Sequence, residues 1–227
     1  MCGRFASFLP PDIVARRFRT TNALPSIAPT WNLAPSQEAM VVRRHPENGE
    51  RHLDLLTWGL LPSWTKDPAA TRRPINARAE TVAISGMFRS AFKARRCLVP
   101  ADAFYEWRKS GGSKQPFAFA RADGQPTVFA GLWEGFRCLS GEVSRTFCII
   151  TTEANGLMTP VHDRMPVILE PADWSLWLGE ADGDPATVLH PAGDGVLRAW
   201  PISTRVNLPR NNDASLLDPV DGEGTSV

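Results

Sequence analysis

Short apolar runs separated by Gly, Pro and polar turns dominate this chain, and helical spacing interrupts them in three places. Pro11–Phe18 opens on Pro and Asp and spaces its apolar residues at helical intervals, which predicts a short amphipathic helix. Residues 85–96 put Met87, Phe88, Ala91 and Phe92 on one helical face, with basic residues elsewhere. Residues 171–178 predict a third helix with Trp174, Trp177 and Leu178 turned inward. Strands are predicted at 40–43 and 53–58, around the polar turn Pro46-Glu47-Asn48-Gly49. Further strands are predicted at 97–99, 104–108, 117–121, 127–132, 146–151 and 196–202. No βαβ rhythm, linker or fixed-period repeat separates two cores. The pattern predicts one α+β domain over residues 1–217, with a curved, mainly antiparallel, barrel-like sheet and scattered helices. Residues 218–227 are acidic and Gly-rich and are expected to form a flexible tail.

Composition narrows the class. The 227 residues are 43% hydrophobic, enough for one sizeable core. Eight Trp against one Tyr suggest stacking surfaces as well as core. No apolar run is long enough to span a membrane, and the N-terminal segment carries Arg16, Arg17 and Arg19 instead of an apolar signal core. Cys97, Cys138 and Cys148 lack CxxC spacing, and His45, His52 and His190 sit in no ligand motif. No nucleotide-binding glycine loop, GxSxG elbow or HExxH is present. The expectation is a cytoplasmic monomer with reduced thiols, no metal and no cofactor. The net charge of +1 hides an asymmetry: residues 1–100 hold 15 Lys and Arg against 7 Asp and Glu, and residues 101–227 hold 10 against 17. A basic face is therefore compatible with a nearly neutral chain.

The candidate chemistry starts at Cys2. Removal of Met1 leaves an α-amine and a thiol on one residue, a 1,2-aminothiol that condenses with aldehydes. The amine forms a Schiff base and the thiol closes a five-membered thiazolidine ring. With an α-amine pKa near ~7.8, roughly a quarter is neutral at pH 7.4, against about 0.1% of a lysine. Ring closure is intramolecular and gains the advantage of a tethered reactant. By strand parity Glu106 shares the side of Phe104, opposite Tyr105 and Trp107. It is either a solvated carboxylate or one with a raised pKa suited to proton transfer. His162 is a natural proton carrier or a structural residue. Arg78 and Arg164 suit phosphate, or pair with Glu80 and Asp163. Asn76 orients a reacting amine or caps a turn.

Six segments occur in order: Met1-Cys2-Gly3-Arg4-Phe5, Asn32-Leu33-Ala34-Pro35-Ser36, Trp58-Gly59-Leu60-Leu61-Pro62-Ser63-Trp64, Ile75-Asn76-Ala77-Arg78-Ala79-Glu80-Thr81, Phe104-Tyr105-Glu106-Trp107 and His162-Asp163-Arg164-Met165-Pro166-Val167. Together they resemble the SRAP (SOS response-associated peptidase) family of abasic site processing proteins, from Cys2 to about Pro219. The resemblance implies an SRAP-type α+β domain that senses abasic sites in single-stranded DNA. It implies a thiazolidine DNA–protein crosslink on Cys2, self-removal of Met1 and a capacity for lyase chemistry. It gives Cys2 as nucleophile, Asn76 as holder of the cysteine end, and Glu106 and His162 as proton carriers. Arg4, Arg78 and Arg164 would contact phosphates, Trp64, Met87 and Thr151 would line the DNA path, and Asn32 would join these DNA-binding residues by shaping the pocket wall. Such a protein would be nucleoid-associated when bound to DNA. One departure is visible: Ala103 stands where the family often has Gly. A cysteine peptidase and a non-covalent single-strand-binding module are the competing readings.

Overall fold

The computed structural model describes residues 2–220, apart from the side chain of Ser110. In chain order the strands are β1 (Phe5–Ser7), β2 (Thr30–Leu33), β3 (Glu38–Arg44), β4 (Arg51–Trp58), β5 (Asn76–Arg78), β6 (Arg96–Ala101), β7 (Ala103–Ser110), β8 (Ser113–Arg121), β9 (Thr127–Arg137), β10 (Val143–Glu153), β11 (Arg164–Pro166) and β12 (Leu197–Pro201). The helices are α1 (Pro11–Phe18), α2 (Arg89–Ala94) and α3 (Trp174–Leu178). Strands β3, β4, β6, β9 and β10 form a closed ring, because the order β10-β4-β3-β6-β9 is completed by pairing of β9 with β10. A second sheet runs β12-β8-β7-β1-β2 and is antiparallel throughout. Short strands β5 and β11 attach to the later half of β10, with Asn76 opposite Ile149, Arg78 opposite Thr151 and Arg164 opposite Glu153. Among the described residues, only the pairings of β10 with β4 and β5 are parallel.

Alternation along the strands divides the core. Val41, Trp58, Val99, Phe129, Phe147 and Ile149 pack with Cys2, Phe5, Leu33 and Phe104 of the second sheet. Phe5 meets Trp58 at 5.1 Å, and Phe104 meets Phe129 edge-on at 5.6 Å. The second sheet thus seals one end of the barrel and carries Cys2 there. The opposite faces of the ring strands, including Met40, Leu53, Leu98 and Ile150, pack under Phe18 of α1 and Trp177 of α3. As expected from parity, Tyr105 leaves the Phe104 side and packs with Ile202 and Leu216.

Two sequence expectations change. The helix expected at 85–96 shrinks to α2, because Ser85 closes turns onto Phe88 and Arg89, and Arg96 already belongs to β6. Asp218–Val220 are not free: Pro219 bridges Ile202, and the Val220 N–H donates to the Pro201 carbonyl at 3.1 Å. The rest of the expected tail lies outside the described residues. No described helix is long and apolar enough to cross a membrane.

Candidate functional site

Cys2 is fully buried where β1 enters the sealed end of the barrel. Its backbone carbonyl accepts a 2.9 Å hydrogen bond from Asn76 Nδ2. Asn76 is the first residue of β5, and pairing of β5 with β10 fixes its position. The partner atom, Asn76 Oδ1, is buried and has no hydrogen-bond partner among the described residues. Burial pushes the Cys2 thiol well above its usual range, and the charge of Glu106 adds to this. Glu106 therefore stands within electrostatic reach of the thiol.

Glu106 is 3% exposed, on the side of β7 that carries Phe104. Burial raises its carboxyl above the usual range, and the nearby charge of His162 is among the influences that lower it again. Glu106 and His162 line one cleft of about 510 Å³, with Trp107, Lys109, Lys114 and Asn207. His162 Nδ1 accepts the Arg164 backbone N–H at 2.9 Å and lies 2.8 Å from Asp163 Oδ1. The first contact needs a bare Nδ1 and the second a protonated one. Asp163 is 88% exposed, so its charge is screened by solvent and the backbone bond sets the tautomer. The neutral ring then carries its proton on Nε2.

The residues expected along a DNA path divide. Trp64 is 59% exposed, Arg78 is exposed and Met87 is half-buried in the turns before α2. These three remain accessible. Asn32 is not: it is 1% exposed, and its amide nitrogen faces the carbonyls of Val206, Leu208 and Asn211 at 2.8–3.2 Å. Its Oδ1 accepts Arg4 Nη1 at 2.7 Å, and the same Nη1 reaches the Val206 carbonyl at 2.8 Å. Arg4 and Asn32 therefore hold the 204–211 segment instead of facing a ligand. Thr151 is fully buried, with its hydroxyl toward the Ala77 carbonyl. Arg164 grips Glu80 with both Nη atoms, at 2.5 and 3.0 Å, and the Thr151 carbonyl at 2.6 Å. Its charge is largely cancelled by Glu80, which the Arg164 hydrogen bonds hold below the usual carboxylate range.

Sequence reasoning missed Lys109, Lys114 and Asn207. The two lysines are register partners across the β7–β8 hairpin, a like-charge pair that isolated strands disfavour. The basic run Arg108-Lys109 before Gly111-Gly112 was the available signal. Asn207 sits in the 3-10 turn Thr204–Asn207 and accepts Trp107 Nε1 at 2.7 Å. Nothing local in the sequence ties it to β7.

A family model described as SOS response associated peptidase (SRAP) matches residues 1–209. The chain is 37% identical to abasic site processing protein YoqW of Bacillus subtilis, over 96% of this chain and 99% of that one. It is 34% identical to YedK of Escherichia coli, which has the same description, over 97% and 100%. It is 30% identical to HMCES of Xenopus tropicalis, also an abasic site processing protein, over 93% and 76%. Among solved structures, a Bacteroides thetaiotaomicron protein superposes with a TM-score of 0.83 at 23% identity, covering 96% of this chain and all of that one. A Bordetella bronchiseptica protein gives 0.75 at 28% identity, covering 89% of this chain and all of that one. The chain belongs to the SOS response associated peptidase (SRAP) family.

Proposed function

We propose that this protein processes abasic sites in single-stranded DNA by capturing their ring-opened aldehyde on Cys2 once Met1 has been removed. The convergence at Cys2 carries this reading. Asn76 holds its carbonyl, a buried carboxylate stands beside its thiol, and that carboxylate shares a cleft with His162 and two lysines. The relatives described as abasic site processing proteins support the same substrate class.

The chemistry closes without an oxidant or cofactor. The freed α-amine adds to the aldehyde carbon, and loss of water leaves an iminium. The Cys2 sulfur then bonds to the same carbon and its proton departs, giving a thiazolidine. Glu106, whose carboxyl pKa burial raises, would give a proton to the leaving water and take one from the thiol. Asn76 Oδ1 is an acceptor suited to the freed amine or a sugar hydroxyl. His162 is placed to exchange protons with the opened sugar. Lys109, Lys114 and Arg78 offer cations to the flanking phosphates, and Trp64 offers a ledge for a splayed base. While Met1 remains, the Cys2 nitrogen is an amide and the Schiff base cannot form. Met1 removal, by self-cleavage in this reading, is therefore the activating step.

The test uses a single-stranded oligonucleotide with one abasic site. Glu106→Gln should slow crosslinking by about 10²-fold or more, the scale of general acid–base catalysis, and leave non-covalent affinity within a few-fold. Unchanged crosslinking rates would remove Glu106 from the chemistry. Repeated turnover on added peptides would favour a cysteine peptidase instead. Equal, purely non-covalent binding of intact and abasic strands would favour a binding module.

A further inference from the structure

The barrel has two ends, and the Cys2 chemistry uses one. At the other end Arg43 follows Val41 by two residues on β3, Asp54 precedes Leu56 on β4, and Arg145 precedes Phe147 on β10. Val41, Leu56 and Phe147 belong to the interior cluster, so alternation aims Arg43, Asp54 and Arg145 the same way, at the mouth. Arg145 and Thr151 lie about 20 Å apart along β10 at ~3.3 Å per residue, so this mouth is remote from Asn76 and Cys2. It opens into a cleft of about 860 Å³. Barrel mouths are common ligand sites.

The charge of this cleft is not balanced. Arg43 lies 2.7 Å from Asp54 and stacks on Trp133 at 4.7 Å, and Arg95 lies 2.7 Å from Glu134. These two cations are neutralised. Arg44 donates to the carbonyls of Gly49 and Gly179, and Arg96 to those of Trp177, Phe92 and Lys93. Carbonyls satisfy the N–H groups and fix the side chains, but they leave the charge in place. The approach is close: a Cβ at Gly179 would lie 2.9 Å from Arg96 Nη2.

Capping of the α2 and α3 ends accounts for Arg96, and anchoring of the 46–49 turn for Arg44. Neither role accounts for Lys93 and Arg145. Both are exposed and have no side-chain hydrogen bond or ion pair among the described residues. Arg145 also stands where its charge repels Arg43. Against these four uncancelled cations the cleft lining sets the carboxylate of Glu47.

We propose that this barrel mouth is a second anion site that takes phosphate oxyanions, with Arg44 and Arg96 as fixed cations and Lys93 and Arg145 as mobile ones. Guanidinium forks and an ammonium group match phosphate geometry and charge. Two sources present that chemistry. One is the strand held at Cys2, continuing past Trp64 to Ser63 on the cleft rim, and this source rests on the function proposed above. The other is a free polyphosphate.

The test is the double variant Lys93→Gln/Arg145→Gln in the full chain, since neither side chain has a structural partner to lose. Lesion-free strands of about 20 and about 5 nucleotides, bracketing single-strand site sizes, are titrated by anisotropy over a range of salt. Tripolyphosphate is titrated by calorimetry. If the strand is the ligand, the variant binds the long strand at least about fivefold more weakly. Its log–log salt slope becomes shallower by about 1.4, or ~0.7 per lost contact, and short-strand affinity is unchanged. If free polyphosphate is the ligand, strand binding is untouched and tripolyphosphate binds wild type but not the variant. Identical behaviour of wild type and variant toward all three probes overturns the proposal. Crosslinking of a saturating short abasic strand should proceed equally in both proteins. Its absence from wild type would remove the Cys2 reading and leave the polyphosphate result standing.

Discussion

Asn32 separates a structural role from a ligand-binding one with a large expected signal. Asn32→Ala deletes an amide whose two N–H groups serve three backbone carbonyls, and whose oxygen accepts a guanidinium. Two neutral hydrogen bonds at about 1 kcal/mol each, and one to a charged donor at about 1.5–3 kcal/mol, give a loss of about 4 kcal/mol. Solvent does not restore this loss, because Asn32 is 1% exposed and water cannot replace the amide without rearrangement. A change of this size lowers Tm by roughly 10 °C for a chain of this length. Urea unfolding followed by Trp fluorescence measures it directly. The 204–211 segment carries Asn207, so the variant should also lose definition of the Glu106–His162 cleft. A variant with stability within about 1 kcal/mol of wild type, but with weakened DNA binding, would refute this reasoning and return Asn32 to the DNA path.

Glu106→Gln should also change stability with a pH signature. Burial raises the Glu106 carboxyl pKa in the folded state, so its contribution is complete below the ordinary Glu range and declines as pH rises through the folded value. The variant, which cannot ionise, should gain Tm relative to wild type as pH rises above the ordinary Glu range and through the folded value, and the gain should vanish below that range; a pH-independent difference would contradict this. Glu80→Gln uncovers the Arg164 charge and should steepen the salt dependence of strand binding by up to about 0.7 in log–log slope. It should cost at most about 1 kcal/mol because Glu80 is half-exposed, and an unchanged slope would mean that Arg164 never meets phosphate. Gly131→Ala places a Cβ 2.8 Å from Cys97 Sγ and 2.9 Å from Val99 Cγ2 inside the barrel. Overpacking there should cost about 1–3 kcal/mol in chemical denaturation, and a neutral result would show that the barrel wall yields.

The long elements were legible because apolar runs bounded by turn residues mark buried strands in the sequence. Strands β3, β4, β7, β9 and β10 fall on such runs, and the side taken by Glu106 follows from Phe104. The short strands β1, β2, β5 and β11 were not legible. Runs of three or four residues carry too little periodicity, and it is pairing of β1 with β7, of β2 with β1, and of β5 and β11 with β10 that makes them strands. The same limit governs the site. Cys2, Asn76, Glu106 and His162 stand out by residue type and motif, and the fold brings them together. Arg4, Asn32 and Thr151 are ligand contacts in the sequence only through the family resemblance. Their partners are carbonyls and side chains distant along the chain, which no local pattern reveals. Arg164 had two readings in the sequence, and the ion pair with Glu80 is the one realised. A barrel-like sheet was expected, but the basic mouth that joins Arg43 to Arg145 depends on the pairing of β9 with β10, which brings a cation of the acidic half of the chain beside those of residues 1–100.

The central claim concerns one residue in one covalent state, and intact mass measurement under denaturing conditions addresses it. Protein with Met1 removed is incubated with a single-stranded oligonucleotide carrying one abasic site, beside protein whose N-terminus is blocked by a non-removable leader, and beside Cys2→Ala. The expected result is one adduct in the first sample alone, with the summed mass of protein and oligonucleotide less one water, and fragment ions that place it on Cys2. An adduct of equal yield in the blocked or Cys2→Ala protein would contradict capture by the N-terminal aminothiol.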